Sequence, residues 1–391
     1  MRNSPFSQCF MARRVGSLPI RVWTSVLFLI IAGEATAANV FTVRDPDAAF
    51  VDVGARRVAL AGMQAVALDA LLPPVTDCTE AGRPPPPLGR MWLPNYYLNL
   101  TDGPIDPRYE AVAQSYEAMW TAVSGRASRY VARGDSRDAR CVLDILEDWA
   151  RAGALLDYAK DESLQAWFMV EWAAGAAGIA LSVVRADPAL PPDRVRRVTD
   201  WLARVAHKQI AEPTGPVTCC NNHAAWRGLM ATAIGVVAAD DALFRYGIER
   251  YLGLLEQIAA DGSLPLEMAR KDRALHYQDY AILPLVGIAE FADRQGYDLY
   301  AARSSAGRTL HDAVRFLLAG LDDPTTVERL AGMPQTLRSL RPGHGDLAWM
   351  EAYRRRFPAA AFERHLPTAP FEPLLGGSAG VYWRAIEAMP R

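Results

Sequence analysis

Residues Arg137-Asp138-Ala139-Arg140-Cys141-Val142-Leu143-Asp144-Ile145-Leu146-Glu147-Asp148-Trp149-Ala150-Arg151-Ala152 carry the pattern that decides the fold. Ala139, Val142, Leu146 and Trp149 recur at three- and four-residue spacing, which sets them on one face of a helix with charged residues on the other. Outward from this stretch the same rhythm runs over Arg108 to Arg133, Leu164 to Arg185 and Pro192 to Gln209. It returns over Asn222 to Ala238, Asp241 to Asp261, Arg270 to Gly296 and Ser305 to Leu321. Breaks such as Ala186-Asp187-Pro188 and Pro191-Pro192-Asp193 supply stops and starts. No alternating run is long enough for a large sheet, and there is no glycine-rich phosphate loop. The expectation is an all-α protein, a bundle or an α/α toroid, in one domain because no linker splits the helical region.

Composition narrows the function. The chain has 391 residues, 51% hydrophobic and 22% charged, enough apolar content for a packed core. Basic residues number 42 against 44 acidic, and only Lys160, Lys208 and Lys271 are lysines. With a formal charge of -2 and no basic block, a nucleic-acid protein relying on phosphate neutralisation is excluded. Any anion must be recognised locally.

The N-terminus sets the expected compartment. Arg13, Arg14 and Arg21 precede a short apolar run from Trp23 to Gly33, and Ala35-Thr36-Ala37 offers the small residues of a cleavage site. The run is shorter than the roughly 20 residues of a membrane-spanning helix. Residues 1–37 read as a secretory signal cleaved before Ala38, leaving residues 38–391 as a soluble periplasmic protein with no membrane contact. Cleavage would remove Cys9, four arginines and one glutamate, taking the formal charge from -2 to -5. Cys78, Cys141, Cys219 and Cys220 would remain, and in an oxidising compartment they allow three pairings into two disulfides. A zinc site competes poorly, because adjacent cysteines lack the usual ligand spacing.

One segment breaks the helical rhythm. Pro73 to Pro107 contains Pro84-Pro85-Pro86-Pro87, then Trp92, Tyr96 and Tyr97. A structureless stretch of this length with aromatics reads as a binding loop or lid, placed at about residues 80–105.

Two clusters could carry chemistry. The first is Cys219-Cys220-Asn221-Asn222-His223 at the start of a helix. One asparagine is explained as an N-cap; a second asparagine, a histidine and two cysteines beside it are not. An amide and an imidazole at a helix N-terminus suit a bound carboxylate. The second cluster runs from Arg270 to Tyr280, in which Arg273 and Tyr280 share a helix face about 10 Å apart, with His276 and Tyr277 between. There is no Gly-x-Ser-x-Gly elbow, no His-Glu-x-x-His and no signature-bearing carboxylate pair.

Together the clusters resemble a known family. Asn221-Asn222-His223 followed by Trp226, Arg273-Ala274-Leu275 leading to Tyr277 and Tyr280, and Asp346-Leu347-Ala348-Trp349-Met350-Glu351-Ala352-Tyr353 are similar to motifs of the alginate lyases of polysaccharide lyase family 5. The likeness runs, with gaps, from about Cys78 to Arg356, with the three motifs in the family's order. It implies an incomplete (α/α) toroid, no cofactor and no metal, and the disulfides Cys78–Cys141 and Cys219–Cys220. It further implies β-elimination on β-1,4-linked mannuronate, an anionic polysaccharide, leaving an unsaturated uronate. The C5 proton is weakly acidic, so the substrate carboxylate must be neutralised. The matched Asn222 and Arg273 would do this, His223 would assist as base or donor, and Tyr280 would take the C5 proton and protonate the leaving oxygen. A phenol ionises near pH 10, so a cation such as Arg273 would have to help it.

Trp226, Tyr277, Trp349 and Glu351, with Tyr96 or Tyr97 of the lid, are the candidate sugar contacts; Trp149, Trp167 and Trp172 are assigned to the core. The lid reads Asn95-Tyr96-Tyr97 where members often carry Lys-Tyr, Ala225 replaces a tyrosine, and His276 and Gln278 differ from the usual residues. These changes bear on the polymer rather than the reaction, so another uronan, such as polyglucuronate or a hyaluronan-like chain, stands as an alternative. Two further readings compete: a hydrolase using Asp144, Glu147 or Asp148, and a non-catalytic component of a polysaccharide export complex.

Overall fold

The computed structural model describes residues 41–75, 77–99, 103–337, 340, 345–366 and 370–385. The expected signal, residues 1–37, and residues 100–102 of the expected lid lie outside these. Two short helices, α1 (Val53–Leu60) and α2 (Ala65–Asp69), precede α3 (Pro107–Arg133). Asp106 caps α3 by accepting the Arg108 N–H, and Pro107 occupies the first turn, where its missing N–H costs nothing. Gly134 ends α3 with φ of 68°, and Asp135 then caps α4 (Ser136–Arg151). One left-handed glycine and one aspartate therefore make the reversal between the first two long helices.

The chain continues through α5 (Leu164–Val184), α6 (Pro192–Ala211), α7 (Asn222–Ala238), α8 (Asp241–Leu255) and α9 (Pro265–Met268). Then come α10 (Ala274–Arg294), α11 (Leu310–Asp322), α12 (Thr325–Ala331), α13 (Met350–Arg356) and α14 (Ala360–Glu363). A two-stranded antiparallel hairpin, β1 (Phe371–Glu372) and β2 (Gly377–Ser378), pairs Phe371 with Ser378 and Glu372 with Gly377; α15 (Ala379–Trp383) follows it.

Burial separates two layers. Every residue of α5 after Leu164 is buried, and α7 is buried almost throughout, whereas α4 and α6 bury one stripe. By length and composition α5 could cross a membrane, but 94% of its apolar window is covered by the rest of the protein, so it is a core helix. The inner helices contact in sequence, α3 with α5, α5 with α7 and α7 with α10, while α4, α6, α8 and α11 back them. α7 and α8 pack closely through glycines on both sides: a Cβ at Gly235 would come within 2.5 Å of the Phe244 backbone nitrogen, and one at Gly247 would run into Thr232. The hairpin and α15 lie against α3, and the turn Pro373–Leu375 touches α3, α5 and α10, filling the arc the inner helices leave open. This is the incomplete (α/α) toroid.

Both expected disulfides are present. Cys78–Cys141 pins the segment before α3 onto α4, with Cα atoms 5.8 Å apart, and Cys219–Cys220 joins neighbours in the turn before α7. The expected helices match closely up to Ala238. Beyond it the expectation for Asp241 to Asp261 overshoots, because the helix ends at Leu255 and Gly262 turns with φ of 94°. The expectation from Ser305 starts too early, because a Thr309–Asp312 capping box opens α11 at Leu310.

Candidate active site

Asn221 accepts the His223 N–H as the cap of α7, which leaves Asn222 and His223 to face other groups. The Asn222 backbone N–H donates to Glu267 at 2.6 Å and its Nδ2 donates to both Glu267 oxygens at 3.1 Å. Asn222 is fully buried, and its Oδ1 has no hydrogen-bond partner among the described residues. Burial pushes the Glu267 carboxyl up to about 7, against the pull of these bonds and of Arg270.

His223 stacks on Phe168 with centroids 3.5 Å apart, and its Nδ1–H donates to Glu171 at 2.5 Å. The other Glu171 oxygen accepts from Arg227 at 3.2 Å; Arg227 also donates to the Thr218 carbonyl and covers the Trp167 ring. Burial lowers the His223 pKa more than Glu171 raises it, so the ring is neutral at ordinary pH with a lone pair on Nε2.

Tyr280 lies in the second turn of α10, half-buried, within 4.9 Å of Trp226, 5.6 Å of His276, 6.2 Å of Tyr277 and 6.5 Å of Trp172 by ring centroids. Pro284 lacks the N–H that would otherwise bond the Tyr280 carbonyl four residues earlier. Burial, then Glu372, Tyr109, Tyr277 and Asp346, push its phenol well above the ordinary value. The expected help from Arg273 takes another form here: its guanidinium sits 3.9 Å above the Tyr97 ring, and the opposing influences on Tyr280 are carboxylates and phenols. The Tyr97 and Tyr277 hydroxyls are 3.1 Å apart, and Arg270 covers the Tyr277 ring at 3.9 Å. The lid tyrosine that reaches this cleft is thus Tyr97; Tyr96 packs edge-on against Tyr109.

Three expected sugar contacts have other surroundings. Trp349 is fully buried and donates to Asp279 at 2.7 Å, so it supports α10 from behind. Glu351 is buried between Arg354 and Arg384, at 2.9 and 2.6 Å, and acts as an ion-pair hub. Trp226 is 2% exposed, so its ring forms a wall against Tyr280 with no face open for sugar stacking. Trp149 and Trp167 are core residues as expected, but Trp172 stands beside both His223 and Tyr280. The hydrolase candidates are held elsewhere: Glu147 binds Arg151, Arg194 and Arg197, Asp144 binds Arg194, and Asp148 binds Arg83.

Sequence reasoning alone misses Glu171 and Glu267. A signal for the first exists: Glu171 is the single charged residue between Leu164 and Val184, and a charge in so apolar a helix must be paired. Among the described residues no group of three or more His, Cys, Asp or Glu side chains is arranged to hold a metal ion.

Residues 85–327 match the family model described as alginate lyase. A polysaccharide lyase of Stenotrophomonas maltophilia is 33% identical over 317 residues, 79% of this chain and 92% of its own. An alginate lyase of Pseudomonas aeruginosa is 30% identical over 231 residues, 58% of this chain and 61% of its own. Alginate lyase A1-III from Sphingomonas species A1 has the same fold at a TM-score of 0.82 and 42% identity, covering 88% of this chain and 97% of its own. A tyrosine-to-phenylalanine form of A1-III complexed with tetrasaccharide matches at 0.84, covering 90% and 98%. These likenesses, with the helical ring, place the protein among the α/α-toroid lyases. It belongs to the alginate lyase family, of the polysaccharide lyase family 5 kind.

Proposed function

We propose that the protein cleaves the β-1,4-linked mannuronate of alginate by β-elimination. The observation that carries this reading is the gathering of a neutral His223 and Arg273 around the half-buried Tyr280, the first through Trp172 and the second through Tyr97 and Tyr277. Arg273 moves from the Tyr97 ring to the C5 carboxylate and stabilises the charge that develops there. The Tyr280 phenolate oxygen takes the C5 proton, and the electron pair left on C5 spreads into the carboxylate. The C4–oxygen bond then breaks, its electrons leave with the oxygen, and Tyr280 returns the proton to it. A double bond forms between C4 and C5. In mannuronate the C5 proton and the C4 oxygen lie on one side of the ring, so one residue serves both steps. His223, with Nε2 unprotonated, accepts the phenol proton that Tyr280 must give up before its phenolate can take the C5 proton. Asn222 in its present orientation offers Oδ1, because Glu267 takes its amide hydrogens; it donates to the carboxylate only after the amide turns over.

The same reading places the mature protein in the periplasm after removal of residues 1–37, a location suited to its two disulfides. The experiment is the ultraviolet absorbance of unsaturated product as the protein meets polymannuronate, with Tyr280→Phe as control. A rise lost in the variant supports the reading. A rise on polyglucuronate alone moves the substrate, and silence on every uronan with binding retained replaces the enzyme by a binding component of an export complex.

A further inference from the structure

Tyr280 has a difficulty as a base: the groups around it disfavour its phenolate. Facing this end of α10 are Asp346 from the turn Gly345–Trp349, Glu372 from β1, Asp279 from α10 itself, and the phenols Tyr97, Tyr109 and Tyr277. Arg270 and Arg273 lie over the Tyr277 and Tyr97 rings. One further basic group is in contact. The His276 ring stacks on Tyr280 at 5.6 Å with planes 22° apart, edge-on to Tyr277 at 5.1 Å. On its other side His276 Nδ1 is 3.6 Å from an Asp346 oxygen, in ion-pair range. Both are partly covered, at 24% and 18% side-chain exposure, so their charges are screened less than on an open surface.

We propose that His276, paired with Asp346, supplies the cation that stabilises the Tyr280 phenolate, and so acts as a positioning residue for the elimination. A cation within a few ångströms favours the charged form of a phenol, and a stacked imidazolium also attracts the ring face. Asp346 gives the imidazole a reason to hold its proton, and burial of Asp279 and Glu372 favours their neutral forms, which keeps two more negative charges away from Tyr280. This inference rests on the reading of Tyr280 as the acid–base group.

The test compares the full chain with His276→Gln and His276→Arg on polymannuronate across pH, with Tyr280→Phe alongside and circular dichroism to confirm folding. His276→Gln should lower kcat on the order of 10- to 100-fold with KM little changed. His276→Arg, which keeps its charge at every working pH, should recover most of that loss and extend activity to higher pH. The phenol titration assigned to Tyr280 by difference from Tyr280→Phe should move up in the glutamine variant and stay near the native position in the arginine variant. Equal kcat for the two His276 variants, or a glutamine variant as fast as the native protein, would overturn the proposal. If Tyr280→Phe itself keeps the native rate, the acid–base reading falls; if it is inactive while His276→Gln is unaffected, only the role of His276 falls.

Discussion

The Nδ1–H of His223 donates to the Glu171 carboxylate at 2.5 Å, and Arg227, as deeply buried, holds the other oxygen at 3.2 Å. This arrangement fixes the tautomer of His223, because a proton held on Nδ1 leaves Nε2 as the acceptor. Replacing Glu171 by Gln keeps an acceptor for Nδ1–H and removes the charge, so folding should persist while kcat falls by roughly tenfold or more, measured by product absorbance. Glu171→Ala should go further and destabilise the fold by about 3–5 kcal/mol in urea melts, because Arg227 would be left as an unpaired buried charge.

Much of this site is legible in the amino-acid sequence. The 3.6-residue period locates the long helices, while Asn222-His223, Arg273 and Tyr280 are singled out together only through the family resemblance. Glu171 is not legible in this way, since it lies 52 residues before its histidine on another helix, and periodicity cannot say which helices become neighbours. The sequence misplaces Trp349 and Glu351 for a related reason. An aromatic or acidic residue in a family motif reads alike whether it faces the cleft or braces the helix behind it, and only Asp279, Arg354 and Arg384 reveal the second case.

Tyr97 links the lid to the catalytic helix through its hydroxyl on Tyr277 and its ring under Arg273. Tyr97→Phe keeps the ring and loses the hydroxyl contact, and should lower initial rates by roughly 2- to 13-fold, as expected for a single neutral hydrogen bond of about 0.5–1.5 kcal/mol. Tyr97→Ala removes both and should raise KM more than it lowers kcat. Equal effects of the two substitutions would mean that the ring contributes nothing.

Removal of the two disulfides should have opposite weight. Cys78–Cys141 closes a loop with a sequence separation of 63, so Cys78→Ser with Cys141→Ser should cost about 4 kcal/mol by loop entropy, visible as a lower Tm. Cys219–Cys220 closes no loop, and its double serine variant should melt near the native temperature. Any effect there should fall on activity, because the Thr218 carbonyl beside it anchors Arg227 and through it Glu171 and His223.

Glu372 and Glu267 make a prediction with a definite sign. Burial raises their carboxyls from an ordinary value of 4.5 to about 8 and about 7. Between 4.5 and those values the folded protein holds protons that the unfolded chain has released, so the contribution of these two groups to stability falls as pH rises through that window. The full shift at Glu372 corresponds to an upper figure of about 4–5 kcal/mol. Glu372→Gln keeps the shape without the ionisation. Thermal melts should therefore show the variant gaining on the native protein from about pH 5 to about pH 8. A gap between the two that stays constant across this range would show that Glu372 ionises in the folded state as readily as in the unfolded one.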